Sequence, residues 1–130
     1  MANREVEVVR RFGPGIGSRT DIRINALRRS SDGTAYDVIT AVIETKGNWH
    51  SALFTALNDQ LHAAYLVPLQ ATVGIYLVGW FDKTKWDQSD PRRKAAPDDL
   101  HDAQNRLDAQ AVDVPAGYVV CAVVIDCHAL

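Results

Sequence analysis

Three residues have the types and the spacing to do chemistry together: Asp21, Glu44 and Lys46. Glu44 and Lys46 close an apolar run in which Val38, Ile39, Ala41, Val42 and Ile43 read as a strand buried on both faces. Two residues apart, both side chains leave the same face of a strand. Burying either charge alone costs several kcal/mol, so each needs a partner, a metal or solvent. Asp21 opens the preceding strand, and an antiparallel hairpin sets the start of one strand beside the end of the next. Two carboxylates brought together repel unless a cation neutralises them, and hard oxygen donors suit Mg2+ or Mn2+. Lys46 then stands beside the metal, where it can orient or deprotonate a water, which is the arrangement of metal-assisted hydrolysis. The bland alternative is a Glu–Lys ion pair at a strand end.

The elements that position these residues follow from periodicity. "REVEVV" alternates as a short strand, and "RFGPGIGS" is turn-rich. "TDIRINAL" alternates again, with Asp21, Arg23 and Asn25 on one face and Ile22, Ile24 and Ala26 on the other. The glycines at 13, 15 and 17 are hairpin punctuation, because a phosphate-cradling loop opens a helix and a strand follows here. Asp32-Gly33 marks a second turn, and the third strand runs from about Val38 to Lys46. From Asn48, a candidate N-cap, to about Val67 the period is helical, with Trp49, Leu53, Ala56, Leu57, Gln60 and Ala64 on one face and Pro68 at the end. "ATVGIYLVGWF" reads as a buried strand, "DKTKWDQSDPRRKAAP" as a long loop, "DDLHDAQNRLDAQA" as a helix and "GYVVCAVVIDC" as a last strand. The order β-β-β-α-β-loop-α-β predicts an α/β chain with a mixed central sheet flanked by helices.

Asp21, then Glu44-Thr45-Lys46, then a helix, resembles the PD-(D/E)xK nuclease superfamily with its restriction-endonuclease-like fold. "TDIRI", "VIETKGNWHSAL", "QLHAAYL" and "VGIYLVGWF" are similar to nuclease-like domains of bacterial multidomain proteins, including defence systems. The resemblance covers about residues 4–81 and extends to the rest by topology. It implies a Mg2+- or Mn2+-dependent endonuclease on DNA, with Asp21 and Glu44 as metal ligands, the Thr45 carbonyl as a third, and Lys46 as the catalytic lysine. It also implies that Gln60 and Tyr65, on the helix after the motif, organise the site and the substrate strand; a buried amide satisfied by backbone is the other reading of Gln60. The family places a helix ahead of its first strand. Here the chain starts almost directly on "REVEVV", so one domain spanning 1–130 is expected, as a fragment or terminal domain of a longer protein.

Charge and composition bound the alternatives. The net charge is −2, yet seven of the 14 Lys and Arg lie between Arg4 and Arg29 and five between Lys83 and Lys94. Arg10, Arg11, Arg19, Lys83, Lys85, Arg92, Arg93 and Lys94 are therefore the candidate DNA contacts, against the alternative of two solvated loops. Trp49 reads as core rather than a base-stacking platform, and His50 as an exposed histidine without a role. His62, His101 and His128 share no metal-ligand spacing, which argues against zinc. Cys121 and Cys127 read as reduced core thiols of a cytoplasmic protein. No run approaches the ~20 apolar residues of a membrane span, so no membrane partner is expected. A homodimer and contacts with other domains of a longer parent stay open. Two other functions remain beside the nuclease: a catalytically inactive nucleic-acid-binding or interaction domain of the same fold, and a structural domain that oligomerises a larger protein.

Overall fold

The computed structural model describes residues 4–11, 21–29, 32–33 and 36–129, with backbone alone for 4–11, 21, 27–29 and 36. Five strands form one sheet in sequence order: β1 (Arg4–Arg11), β2 (Asp21–Arg29), β3 (Tyr36–Gly47), β4 (Val73–Trp80) and β5 (Val119–Asp126). β1, β2 and β3 are antiparallel neighbours, while β3–β4 and β4–β5 are parallel. The expected α/β class with a mixed sheet is therefore present.

Each parallel step needs a crossover. The first is a π-helix (Leu57–Leu66) that tightens into the single turn α1 (Val67–Leu69). The second runs through a turn at Lys83–Lys85, the short α2 (Arg92–Ala95) and the long α3 (Leu100–Val112), which Asp99 caps by accepting from the Asp102 N–H. Two successive right-handed crossovers stepping the same way leave their helices on one face of the sheet. The π-helix rests on β3 and β4, α3 rests on β5, and the two helices touch.

The core lies between these layers. Val42, Tyr76, Val78 and Ala122 rise from the sheet to meet Leu53, Ala56, Leu57, Leu61, Leu66 and Leu107. Leu57, Leu61 and Leu66 are spaced by four and then five, as a helix with more than four residues per turn requires to keep one stripe buried. The Val67 N–H bonds the His62 carbonyl, five residues back. The structure corrects the helix expected from Asn48: residues 48–56 form turns, and the helix begins at Leu57. Ala64 is exposed rather than on the packing face.

The opposite face of the sheet carries no helix among the described residues. Ala41, Val73 and Val119 lie in register across it, followed by Ile43, Ile75 and Cys121, then Thr45, Leu77 and Val123. The strand expected to be buried on both faces is thus buried on one: Val42 is inside, while Ile39 on the helix-free face is 59% exposed, and Val38, on the face of Val42 but at the start of the strand, is 51% exposed. The expected core thiols are corrected for the same reason. Cys121 is exposed on the helix-free face, Cys127 lies just past β5, and both are free. No helix among the described residues is long and apolar enough to cross a membrane.

Candidate functional site

β3 alternates strictly from Ala41 to Gly47, with Val42, Glu44 and Lys46 buried under the helices. Glu44 is 0% exposed, a position normally held by an aliphatic side chain. Its neighbour across β4 is Tyr76, also sealed, whose hydroxyl donates to the Leu53 carbonyl at 2.9 Å. Lys46 turns back along the strand and donates from Nζ to Glu44 Oε1. The two charges compensate each other in a place where either alone would be costly.

β2 begins at Asp21, and Ile22 pairs with Ile43. One step further along this ladder puts Asp21 level with Glu44, the register anticipated from the hairpin. The Asp21 side chain lies outside the described residues. β3 overshoots β2: from Thr45 to Gly47 its described ladder partners are on β4 alone. The Thr45 side chain belongs to the helix-free face, so it is only through its backbone that Thr45 can join Glu44.

Gln60 and Tyr65 are five residues apart, one turn of the π-helix, and both are half-buried. His62 packs edge-on against Tyr118, just ahead of β5, with ring centroids 4.6 Å apart. Two residues are nearly half a turn in such a helix, so Gln60 sits on the opposite flank, away from β5 and toward β3. Its Oε1 is buried with no hydrogen-bond partner, so the backbone does not satisfy this amide oxygen.

The end of the sheet beyond Lys46 holds a cluster that periodicity alone did not reveal. Gly47 and Gly79 are paired neighbours on the helix-free face. A Cβ on Gly47 would overlap the Trp49 ring, and one on Gly79 would press on Phe81. Both rings therefore lie over glycine backbone. Trp49 stacks at 5.4 Å from Phe81 and 5.6 Å from Trp86, and the Arg92 guanidinium covers Trp49 and Trp86 at 5.5 and 5.4 Å. Trp49 is thus not on the helix packing face as expected; it caps the other side of the strand ends. Asn48, expected as an N-cap, is instead a buried clip. Its N–H bonds the Gly79 carbonyl, its Nδ2 donates to the Phe81 carbonyl at 3.0 Å, and its Oδ1 accepts from the Phe81 N–H at 3.3 Å. His50 is half-buried, its Nδ1 accepting from the Ala52 N–H, and so is not the idle exposed residue expected.

Most of the basic loop is spent on holding itself. Lys83 pairs with Asp98 and donates to the Ala96 carbonyl, and Lys85 donates to the His128 carbonyl. Arg92 grips Asp90 with Nε and Nη2, while Arg93 donates to the Trp86 carbonyl. Lys94 is exposed on α2. Asp82, Asp87 and Asp90 each close a tight turn by accepting from residues two further on, and those hydrogen bonds hold all three carboxyls below the ordinary carboxylate range. Asp90 in turn holds Arg92 above its usual value. Arg19 and the side chains of Arg10 and Arg11 lie outside the described residues. The described residues contain no group of three or more His, Cys, Asp and Glu arranged to hold a metal.

No family model matches the chain, and no curated protein or solved structure is significantly similar to it.

Proposed function

We propose that this chain is a divalent-metal-dependent nuclease of the restriction-endonuclease-like fold, acting on DNA phosphodiester bonds. The observation that carries the reading is the burial of Glu44 and Lys46 side by side on one face of a core strand, with Asp21 level with Glu44 in the hairpin register. Charges so placed are a cost to the fold unless they serve the site. The β-β-β-α-β order through β4, with the π-helix as the first helical element after the motif, supports the fold assignment.

The donor set fits Mg2+ or Mn2+: carboxylates of Asp21 and Glu44, with the Thr45 carbonyl on the overshooting end of β3 as a third hard oxygen. A cation held there would polarise the scissile phosphate and lower the pKa of a bound water. Lys46 holds a positive charge against Glu44, and in this reading it would donate to an oxygen at the reacting phosphate. Gln60 brings an unsatisfied amide oxygen on the flank turned toward β3, suited to orienting a water. Tyr65, one turn on, gives that flank an aromatic wall. The basic residues of β1 and the Lys83–Lys94 loop would add attraction to the phosphate backbone.

One observation favours a second reading, a catalytically inactive nucleic-acid-binding or interaction domain. Lys46 already occupies Glu44 Oε1, and both side chains are sealed from solvent. The deciding experiment is incubation with plasmid and single-stranded DNA in Mg2+, Mn2+ or EDTA. Metal-dependent nicking lost in Glu44→Gln supports the nuclease. Salt-sensitive DNA binding without cleavage supports the inactive domain.

A further inference from the structure

We propose that the helix-free face of the sheet is the contact through which two copies of this chain associate. On β3, β4 and β5 this face presents aliphatic side chains in adjacent rows, and from Ile39 to Ile125 it carries no charged residue. Val119 is 68% exposed, Ile39 59%, Ile125 47% and Val123 40%. Isolated apolar residues on a surface need no explanation, but a contiguous sheet face does.

Size and chemistry select the occupant. Ile22, Ile24 and Ala26 of β2 pair with Ile43, Ala41 and Ile39 and extend the face to four strands. At about 4.8 Å between strands and about eight residues of ~3.3 Å each, it outlines a patch of roughly 500 Å2. Two such patches bring about 1,000 Å2 together, which reaches the scale of a specific protein contact. A charged partner such as nucleic acid finds nothing to pair with here. A second identical face is complementary as it stands: two twisted sheets pack aligned, about 10 Å apart, with their aliphatic rows interleaved.

Pairing through the β5 edge is disfavoured by the fold itself. Gln104 of α3 donates to the Ala122 carbonyl and accepts from the Val124 N–H, occupying backbone groups that a further strand would need. This inference does not depend on the nuclease reading.

Sedimentation equilibrium of the 130-residue chain, with and without Val123→Glu and, separately, Ile39→Lys, tests it. Both positions are exposed enough to accept a charge in the monomer. The expected result is a wild-type mass twice the 14.3 kDa of the chain, and a dissociation constant raised at least tenfold in both variants. Asn105→Lys, on the exposed side of α3, should leave it unchanged. Cys121 gives an independent readout in a Cys127→Ser background: its reaction with a thiol reagent should slow as protein concentration rises, and Val123→Glu should abolish that slowing. A monomer at about 100 µM with fully reactive Cys121 would overturn the proposal, leaving the face to another domain or protein. A dimer that survives both charge substitutions, or one disrupted by Asn105→Lys, would overturn it as well.

Discussion

Lys46 donates to Glu44 from the same face of β3, and the pair is shut away from water with 1% and 0% of the two side chains exposed. An ion pair so deeply placed is a poor stabiliser compared with aliphatic residues of the same volume, yet it is destructive to halve.

Halving it separates chemistry from stability. Lys46→Ala leaves the Glu44 carboxylate buried without its compensating charge and should cost about 3–5 kcal/mol in denaturant unfolding. The double change Glu44→Leu with Lys46→Met should recover most of that loss or exceed the wild type. Cleavage should fall by at least about a hundredfold in every variant, the scale of losing a catalytic group. A double variant that cleaves DNA would remove both residues from the mechanism.

Metal binding should appear as linkage. Mn2+ at about one hundred times its dissociation constant raises the unfolding free energy by about 2.7 kcal/mol. Thermal melts should show this rise in the wild type and much less in Glu44→Gln or Asp21→Asn. Equal shifts in all three proteins would place the ion elsewhere. In a structure with Mn2+ bound, the carboxyl oxygens of Asp21 and Glu44 should come within about 6 Å of each other, as ligands of one ion.

Asn48 joins the strand ends through both polar atoms of its amide. Asn48→Ala strands the Phe81 N–H and carbonyl in a half-buried position, and each stranded group costs about 1–3 kcal/mol. Asn48→Asp keeps the acceptor but buries a charge and sets an oxygen against the Phe81 carbonyl, so it should lose at least as much at neutral pH. Urea midpoints, with the fluorescence of Trp49 as reporter, rank the three proteins. A wild-type midpoint in Asn48→Ala would mean that the clip contributes nothing.

Gly47→Ala tests the aromatic cap. The added methyl meets the Trp49 ring, so the ring must leave the strand and take the Arg92 stack with it. Overpacking of this kind costs about 1–3 kcal/mol. Tryptophan emission should shift toward longer wavelength as Trp49 gains water, while far-ultraviolet dichroism stays unchanged.

The loop after β4 should respond to acid later than ordinary carboxylates do. Asp82, Asp87 and Asp90 are held below their usual value of 3.8 by hydrogen bonds from Thr84, Ser89 and Arg92. A depressed folded value means that the turns keep their full contribution above pH 3.8 and lose it as pH falls through the lower folded values. Carboxyl titration by NMR should therefore show all three midpoints below 3.8, and Thr84→Val should bring that of Asp82 back up.

The chain's local patterns determined the order of its elements. Alternation marked β1 and β2, apolar runs marked β3, β4 and β5, and the Asp21–Glu44 hairpin register followed from strand order alone, because a period of two and a short turn leave little freedom. The Glu44–Lys46 spacing also determined that both charges share a face. What only tertiary structure decided was which face meets the helices. Both faces of β3, β4 and β5 are apolar, so the sequence reads as buried twice, while two same-handed crossovers cover one side only. Tertiary contact likewise set the fate of Trp49. Its period matched a helix face, but the paired glycines at 47 and 79 opened a flat bed on the other side of the sheet. A ring that large goes where backbone can be approached most closely, and no local pattern encodes a gap made by two strands distant in sequence.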